Sequence, residues 1–220
     1  MLSQSVENFL KSIYDLQTGE RWVQTSSLAA RLGQKPASVT NMSQRLAREE
    51  TPLLEYMPYR GVRLNATGTK IALEIIRHHR LIELYLTQAL GVPWDKVHDE
   101  AERLEHAISE ELEDRMAAML QNPSVDPHGS PIPTKDGHIA TIPGIPLPQA
   151  PERTPLRIVE VNDDDPRLLR HLGAMGLYPG AEFTITGREP FGGSLTIRFR
   201  DQDLHLGEEA LPHIRVALVT

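Results

Sequence analysis

The sequence predicts a mainly α-helical chain with a C-terminal β domain: a winged helix-turn-helix, a helical middle region and a small terminal barrel. Three observations carry this reading. Apolar residues recur at helical spacing through the first half of the chain. A glycine turn, a proline-started helix and two short alternating stretches follow one another between Gly33 and Asn65. Five further alternating segments crowd into the last 65 or so residues.

Over residues 3–17, Val6, Phe9, Leu10, Ile13, Tyr14 and Leu16 approximate one helical face. A short helix is expected over 25–32, with Thr25 and Ser26 as candidate caps and Gly33 ending it. Pro36 stands in the first turn of a third helix that runs to Glu49, with Val39, Met42 and Leu46 as its buried stripe. Residues 53–56 and 62–65 read as strands around Pro58-Tyr59-Arg60-Gly61, a wing. A long helix from Thr67-Gly68 to about Leu90 comes next, and a further one reaches about Leu120. Nine of the seventeen prolines lie between Asn122 and Pro155, a spacing that few helices survive, so this stretch reads as an extended linker. Beyond it, residues 156–161, 182–189, 195–200, 203–207 and 213–219 alternate as strands, with a helix over 166–175. Pro179-Gly180 and Phe191-Gly192-Gly193 supply turns.

The net charge of −7 argues against nucleic acid until it is divided along the chain. Residues 1–70 hold nine Lys/Arg against six Asp/Glu, or +3; residues 71–145 carry −7 and residues 146–220 carry −3. A basic start joined to an acidic middle suits a chain that meets an anion at one end and cations in the middle. With no cysteine, disulfides, iron–sulfur clusters and thiolate zinc sites are excluded. The opening residues carry no basic region followed by an apolar one, and no apolar run is long enough to span a bilayer, so a cytoplasmic protein without membrane contact is expected.

The richest chemistry lies in KVHDEAERLEH. His98, Glu102, Glu105 and His106 stand at i, i+4, i+7 and i+8 and share roughly a 100° arc of one helical face. His79 and Glu83 repeat the i, i+4 spacing on the preceding helix. Imidazoles and carboxylates converging in this way suit a divalent first-row metal. A solvated acidic face explains one such pair, but six residues on adjacent helices favour the metal. The catalytic patterns are missing: no Glu-x-x-His pair for a di-metal carboxylate enzyme, no His-Glu-x-x-His and no phosphate-binding glycine loop. An enzyme is therefore not expected, with the di-metal carboxylate class as the remote alternative.

The order of winged helix, HDEAERLEH helix, PHGSPIP segment, proline-rich stretch and terminal barrel resembles the diphtheria-toxin-repressor family of metalloregulators, over nearly the whole chain. The resemblance implies a homodimeric, metal-activated repressor of metal-homeostasis genes that binds a double-stranded, palindromic operator and takes no small-molecule substrate. It implies a DNA-binding domain over 1–70, a dimerisation and metal domain over 71–143, a linker over 144–155 and an SH3-like, or FeoA-like, domain over 156–220. Two metal sites per subunit follow: a primary one of Asn8, Glu102, Glu105 and His106, and an ancillary one of His79, Glu83 and His98, with Asp126 and Asp163 as candidates to complete it. Asp165 remains open in place of Asp163, and the same acidic run would serve equally as a solvated cap for the helix after Pro166. Glu102 stands where iron-responsive members tend to carry Cys and manganese-responsive members carry Glu, so Mn²⁺ is expected, with Fe²⁺ as the alternative. Asn8 departs from the Asp common in the manganese branch. The reading helix would be the one after Pro36, with Ser38, Thr40, Asn41, Gln44 and Arg45 facing DNA and Lys35 and Arg60 reaching its backbone. The stripe Ile108, Leu112, Met116, Met119 and Leu120 serves either the dimer interface or the intramolecular core.

Overall fold

The computed structural model describes residues 2–17, 19, 21–190 and 193–219, so the expected turn residues Phe191 and Gly192 lie outside the described residues. Two compact units divide the chain, one of Met1–His78 with Pro133–His138 and the other of His79–Ile132 with Ile139–Thr220.

In the first unit, α1 (Gln4–Leu16), α2 (Thr25–Leu32) and α3 (Pro36–Arg48) precede the hairpin of β1 (Leu54–Met57) and β2 (Gly61–Leu64). α1 buries Val6, Phe9, Leu10 and Ile13, the i, i+3, i+4, i+7 set. Each such apolar side chain contributes roughly 1.5–3 kcal/mol. Gln24, not Thr25 or Ser26, occupies the N-cap of α2 and makes no side-chain capping bond to the helix, while Gly33 ends the helix in the left-handed region at φ 61. The expected stripe of α3 is also adjusted: Val39, Ser43 and Leu46 are buried, and Met42 packs against the core from a half-buried position. Ser43 fits there because its hydroxyl donates to the Val39 carbonyl at 2.7 Å.

The hairpin is antiparallel, from Leu54 opposite Leu64 to Met57 opposite Gly61. Val23 adds a bridge to Val62 through reciprocal bonds of 2.8 and 2.9 Å. This approach dictates Gly61. Its φ is 110, and a Cβ there would meet the Val23 carbonyl oxygen at 2.0 Å.

α4 (Ala66–Leu90) is one 25-residue helix, apolar around much of its circumference as befits a helix with neighbours on several sides. The single helix expected to run to Leu120 is instead two, α5 (Val97–Leu104) and α6 (Glu110–Met119). Ser109 causes the break. Its side chain accepts from the Leu112 amide, and Glu110, Glu111 and Glu113 crowd the first turn of α6, where the helix dipole favours them. Two small cores form around these helices, Ile82, Leu86, Val97, Ala101 and Met116 in one, and Leu81, Leu84, Ala117 and Ile132 in the other.

The terminal domain is an antiparallel six-stranded sheet of order β3-β8-β4-β5-β6-β7. Its strands are β3 (Ile145–Pro146), β4 (Pro155–Val161), β5 (Glu182–Arg188), β6 (Leu195–Phe199), β7 (Gln202–Leu206) and β8 (Ile214–Leu218), and α7 (Pro166–Ala174) packs on its core. The segment 144–155, which composition marks as a linker, contributes β3 to the sheet and Leu147 to the fully buried core. Composition reports what cannot be helical; it does not report that the prolines flank an apolar anchor.

Gly61→Ala is expected to lose more than about 1 kcal/mol in urea unfolding, because the new methyl meets backbone and the φ is unsuited to it. Unchanged stability would show that the wing is not docked on Val23.

Candidate metal centre and nucleic-acid interface

Four elements of the second unit converge on Glu83. α4 presents His79 and Glu83 one turn apart, both buried. α5 presents His98 and Glu102, and Glu105 follows as its C-cap. The loop 126–130 is fixed by an Asx turn in which Asp126 Oδ1 accepts from the His128 and Ser130 amides at 2.8 and 3.0 Å. It docks on β4 through the Val161 amide to the His128 carbonyl at 2.9 Å, and Gly129 permits the approach, since a Cβ there would lie 2.1 Å from the Val159 oxygen. Asp163 enters from the loop after β4.

His79 bridges two carboxylates, with Nδ1 2.5 Å from Glu105 and Nε2 3.0 Å from Glu83. His98 Nδ1 lies 3.2 Å from Asp163 and 3.5 Å from Glu83. His128 Nδ1 lies 3.7 Å from Glu83 and 3.8 Å from Asp163. Its Nε2 is 2.8 Å from the Trp94 carbonyl, and the indole stacks on the imidazole. Donation from Nε2 to that carbonyl leaves Nδ1 of the neutral ring as a bare lone pair aimed at the cluster. Among the described residues, Glu83 Oε2 and His128 Nδ1 are both buried without a hydrogen-bond partner. With that ring neutral, two buried acceptors would face each other at 3.7 Å, a costly arrangement that a ring proton or a cation between them relieves. The donor set therefore fits a divalent metal.

The same crowding fixes protonation in the metal-free protein. Burial would raise Glu83, but the imidazoles of His128, His79 and His98 outweigh it and hold the carboxyl well below its ordinary range. Asp163, chiefly through its hydrogen bond to His98, pushes that ring up to about 10. Burial would lower His128, yet Glu83 and Asp163 push it up to about 9. Asp126 rises to about 7 through burial and the charge of Glu83.

Of the residues expected from the sequence, His79, Glu83, His98 and Asp163 come together, and Glu83 and Asp126 form a second group with His128. Sequence reasoning misses His128; the Asp-x-His spacing of a proline-bounded loop is its only signal. Asp163 faces the cluster, and Asp165 instead caps α7 by accepting from the Arg167 amide at 2.8 Å. Within the acidic run, Asp163 thus joins the histidine cluster while Asp165 serves as the helix cap. Glu102 and Glu105 gather around His79, and Glu105 Oε1 lies 3.3 Å from His106 Nε2. Because α5 ends at Leu104, Glu105 and His106 stand at a cap and a turn, not on the continuous helical face expected for them. Asn8 lies on α1 in the first unit and is half-buried.

On α3, Ser38, Asn41 and Arg45 form an exposed stripe, Thr40 and Gln44 flank it half-buried, and Lys35 is the exposed N-cap. Arg60 is exposed at the tip of the wing.

Three family models account for most of the chain: "Iron dependent repressor, N-terminal DNA binding domain" over residues 1–62, "Iron dependent repressor, metal binding and dimerisation domain" over 65–134, and "FeoA domain" over 145–218. The iron-dependent repressor IdeR of Mycobacterium leprae is 30% identical, with 99% of each chain covered. The diphtheria toxin repressor of Corynebacterium diphtheriae is also 30% identical, covering 98% of this chain and 97% of its own. Among solved structures, a manganese-dependent transcriptional repressor in complex with manganese superposes with a TM-score of 0.88 at 32% identity, over 97% of this chain and all of that one.

Removing the central carboxylate tests the cluster. In chelator, Glu83→Ala is expected to lower unfolding free energy by about 3–5 kcal/mol, since three imidazoles lose their buried counter-charge. A loss within 0.5 kcal/mol or so, the range of surface changes, would show that Glu83 does not organise the site.

Proposed function

The chain belongs to the iron-dependent-repressor, or diphtheria-toxin-repressor, family of metal-dependent DNA-binding transcriptional repressors, and we propose that it is a manganese-responsive, cytoplasmic homodimer that represses metal-homeostasis genes from a palindromic operator. Its relatives are repressors, not enzymes. The observation that carries the metal reading is the pair of buried polar atoms, Glu83 Oε2 and His128 Nδ1, that face each other without a hydrogen-bond partner among the described residues.

We assign two cation centres. Glu83, His98, Asp126, His128 and Asp163 supply one; Glu102, Glu105 and His106 supply the other, with His79 between them. A bound cation supplies the positive charge that ring protons supply without it. Every donor is oxygen or nitrogen, the set that suits Mn²⁺ and Fe²⁺. The manganese reading rests on Glu102 as a hard anionic donor and on the likeness to a manganese complex. The iron-responsive reading draws on the mycobacterial and corynebacterial relatives, whose printed names are iron-dependent repressor and diphtheria toxin repressor. Intrinsic affinity ranks Mn²⁺ below Fe²⁺, so selectivity must come from geometry and supply.

Ser38, Thr40, Asn41, Gln44 and Arg45 are assigned to the DNA surface, with Lys35 and Arg60 on phosphates. The apolar stripe divides. Met116 is buried and Ile108 and Leu120 pack on the local cores, whereas Leu112 and Met119, seven residues apart on α6, stay exposed with Leu104 and are assigned to the dimer face. Two copies would then offer two reading helices to a two-fold operator.

The test is binding to a duplex selected from a random-sequence pool in excess Mn²⁺, titrated anaerobically with each metal. Binding should require metal and fall steeply with salt as counterions are released. Equal affinity in chelator and in Mn²⁺ would overturn the proposal. Asp163→Ala should raise the Mn²⁺ needed for half-activation, and Asp165→Ala should lower the melting temperature through the lost helix cap while leaving that concentration unchanged. The reverse pattern would exchange the two assignments. Glu102→Cys, which installs a softer donor, should demand more Mn²⁺ and less Fe²⁺ or Co²⁺. Unchanged half-activation by all three metals would remove Glu102 from the centre.

A further inference from the structure

The wing holds three features that the reading so far does not use. Tyr59 is fully exposed at 104%, yet its φ is 64, a left-handed conformation that bulky side chains rarely adopt. It is the third residue of the turn Met57-Pro58-Tyr59-Arg60, closed by the Arg60 amide to the Met57 carbonyl at 3.1 Å. Glycine or asparagine would fill that position with less strain. A strained aromatic with nothing packed on it is held there at a cost to the fold, and such strain collects at functional positions.

Secondly, the Arg60 guanidinium sits 5.1 Å from the centre of the Trp22 ring and that of Arg63 5.2 Å from it. The two arginines are not equivalent. Arg63 pairs with Glu55 directly across the hairpin, with both carboxylate oxygens at 3.0 and 2.9 Å, so its charge is compensated. Arg60 rests on an uncharged ring, which restrains the side chain and leaves its charge to act outward.

Thirdly, this platform is fixed. Trp22 precedes Val23, whose bridge to Val62 docks the wing, and the Gln24 side-chain amide donates to the Arg60 carbonyl at 3.3 Å. Restraining a long side chain beforehand lowers the entropy lost when it binds.

We propose that, within the DNA surface already assigned to the wing, Tyr59 packs on the sugar–phosphate edge of the groove and Trp22 is a positioning residue that aims Arg60 at its phosphate. The inference rests on the DNA-binding reading above. It adds two residues that the sequence did not single out, and it assigns them to affinity, not to base choice.

Mn²⁺-loaded full-length protein is titrated with the selected duplex and with a scrambled duplex over a range of salt. Arg60→Ala should weaken both alike and lower the slope of log affinity against log salt by about one. Trp22→Leu should weaken both by about two- to fivefold, the size of an exposed cation–π contact, and lower the slope in the same direction. Trp22→Phe should recover most of that loss. Trp22→Leu combined with Arg60→Ala should be no weaker than Arg60→Ala alone, which a merely structural tryptophan would not produce. Tyr59→Gly should raise the melting temperature by relieving the turn while weakening both duplexes. Additive losses in the double variant, or Tyr59→Gly binding as the wild type does, overturn the inference while metal-dependent binding by the wild type stands. Absence of that wild-type binding overturns both readings together.

Discussion

Glu83 is a carboxylate without access to water, and the second unit is arranged around the need to keep it charged. A lone buried carboxylate is expelled from the protein interior or protonated. Here the three imidazoles of His79, His98 and His128 surround it and come from α4, α5 and the loop 126–130. The requirement explains otherwise unrelated features: an Asx turn that sets His128, a glycine that lets its loop reach β4, and a tryptophan carbonyl that orients the ring. Each acts on the direction of one nitrogen lone pair. Burial and the negative charge of Glu83 together push Asp126 up to about 7.

The carboxylates of this arrangement are offset by positive charge on the imidazoles. With ring protons it is a hydrogen-bonded cluster; under the proposed assignment the same atoms would hold a divalent cation, so that metal and proton would compete for one set of lone pairs. The orphaned pair on Glu83 and His128 marks where the proton-bound form is least satisfied. Under the proposed assignment, metal loading would replace that balance by a better one and so give the fold a physical basis for responding to metal.

Much of this is legible in the sequence, and the losses have specific causes. The winged helix and the strands of the terminal sheet follow from periodicity, because each buries one face and leaves the other wet. Glu83 and His79 are visible for the same reason: they share a helical face. The break at Ser109 is hidden because the acidic run beyond it is as good a helix interior as a helix start, and only the cap bond to Leu112 decides between them. His128 is hidden because it is isolated in a loop, where no period points it anywhere. The run Asn162-Asp163-Asp164-Asp165 is beyond what composition can resolve; which carboxylate turns inward depends on where β4 ends and α7 begins.

Net charge is a poor guide to this chain, and the wing shows why at the scale of single residues. Exposed charges act over about 8 Å at physiological salt, so an incoming phosphate responds to the local set and not to the total of −7. Within that set, formal charge still overstates what is available. Arg63 is neutralised by Glu55, whereas Arg60, at the turn of the same hairpin, faces an aromatic ring that restrains without neutralising. Two arginines that count equally in composition therefore differ in their surroundings, one paired across the hairpin and the other set against an aromatic ring. The same logic runs through the acidic middle of the chain, where carboxylates such as Glu83 are enclosed by imidazoles and contribute nothing to a surface field, while Glu111 and Arg115 pair in solvent on α6. What decides a role in either unit is the partner each charge is folded against.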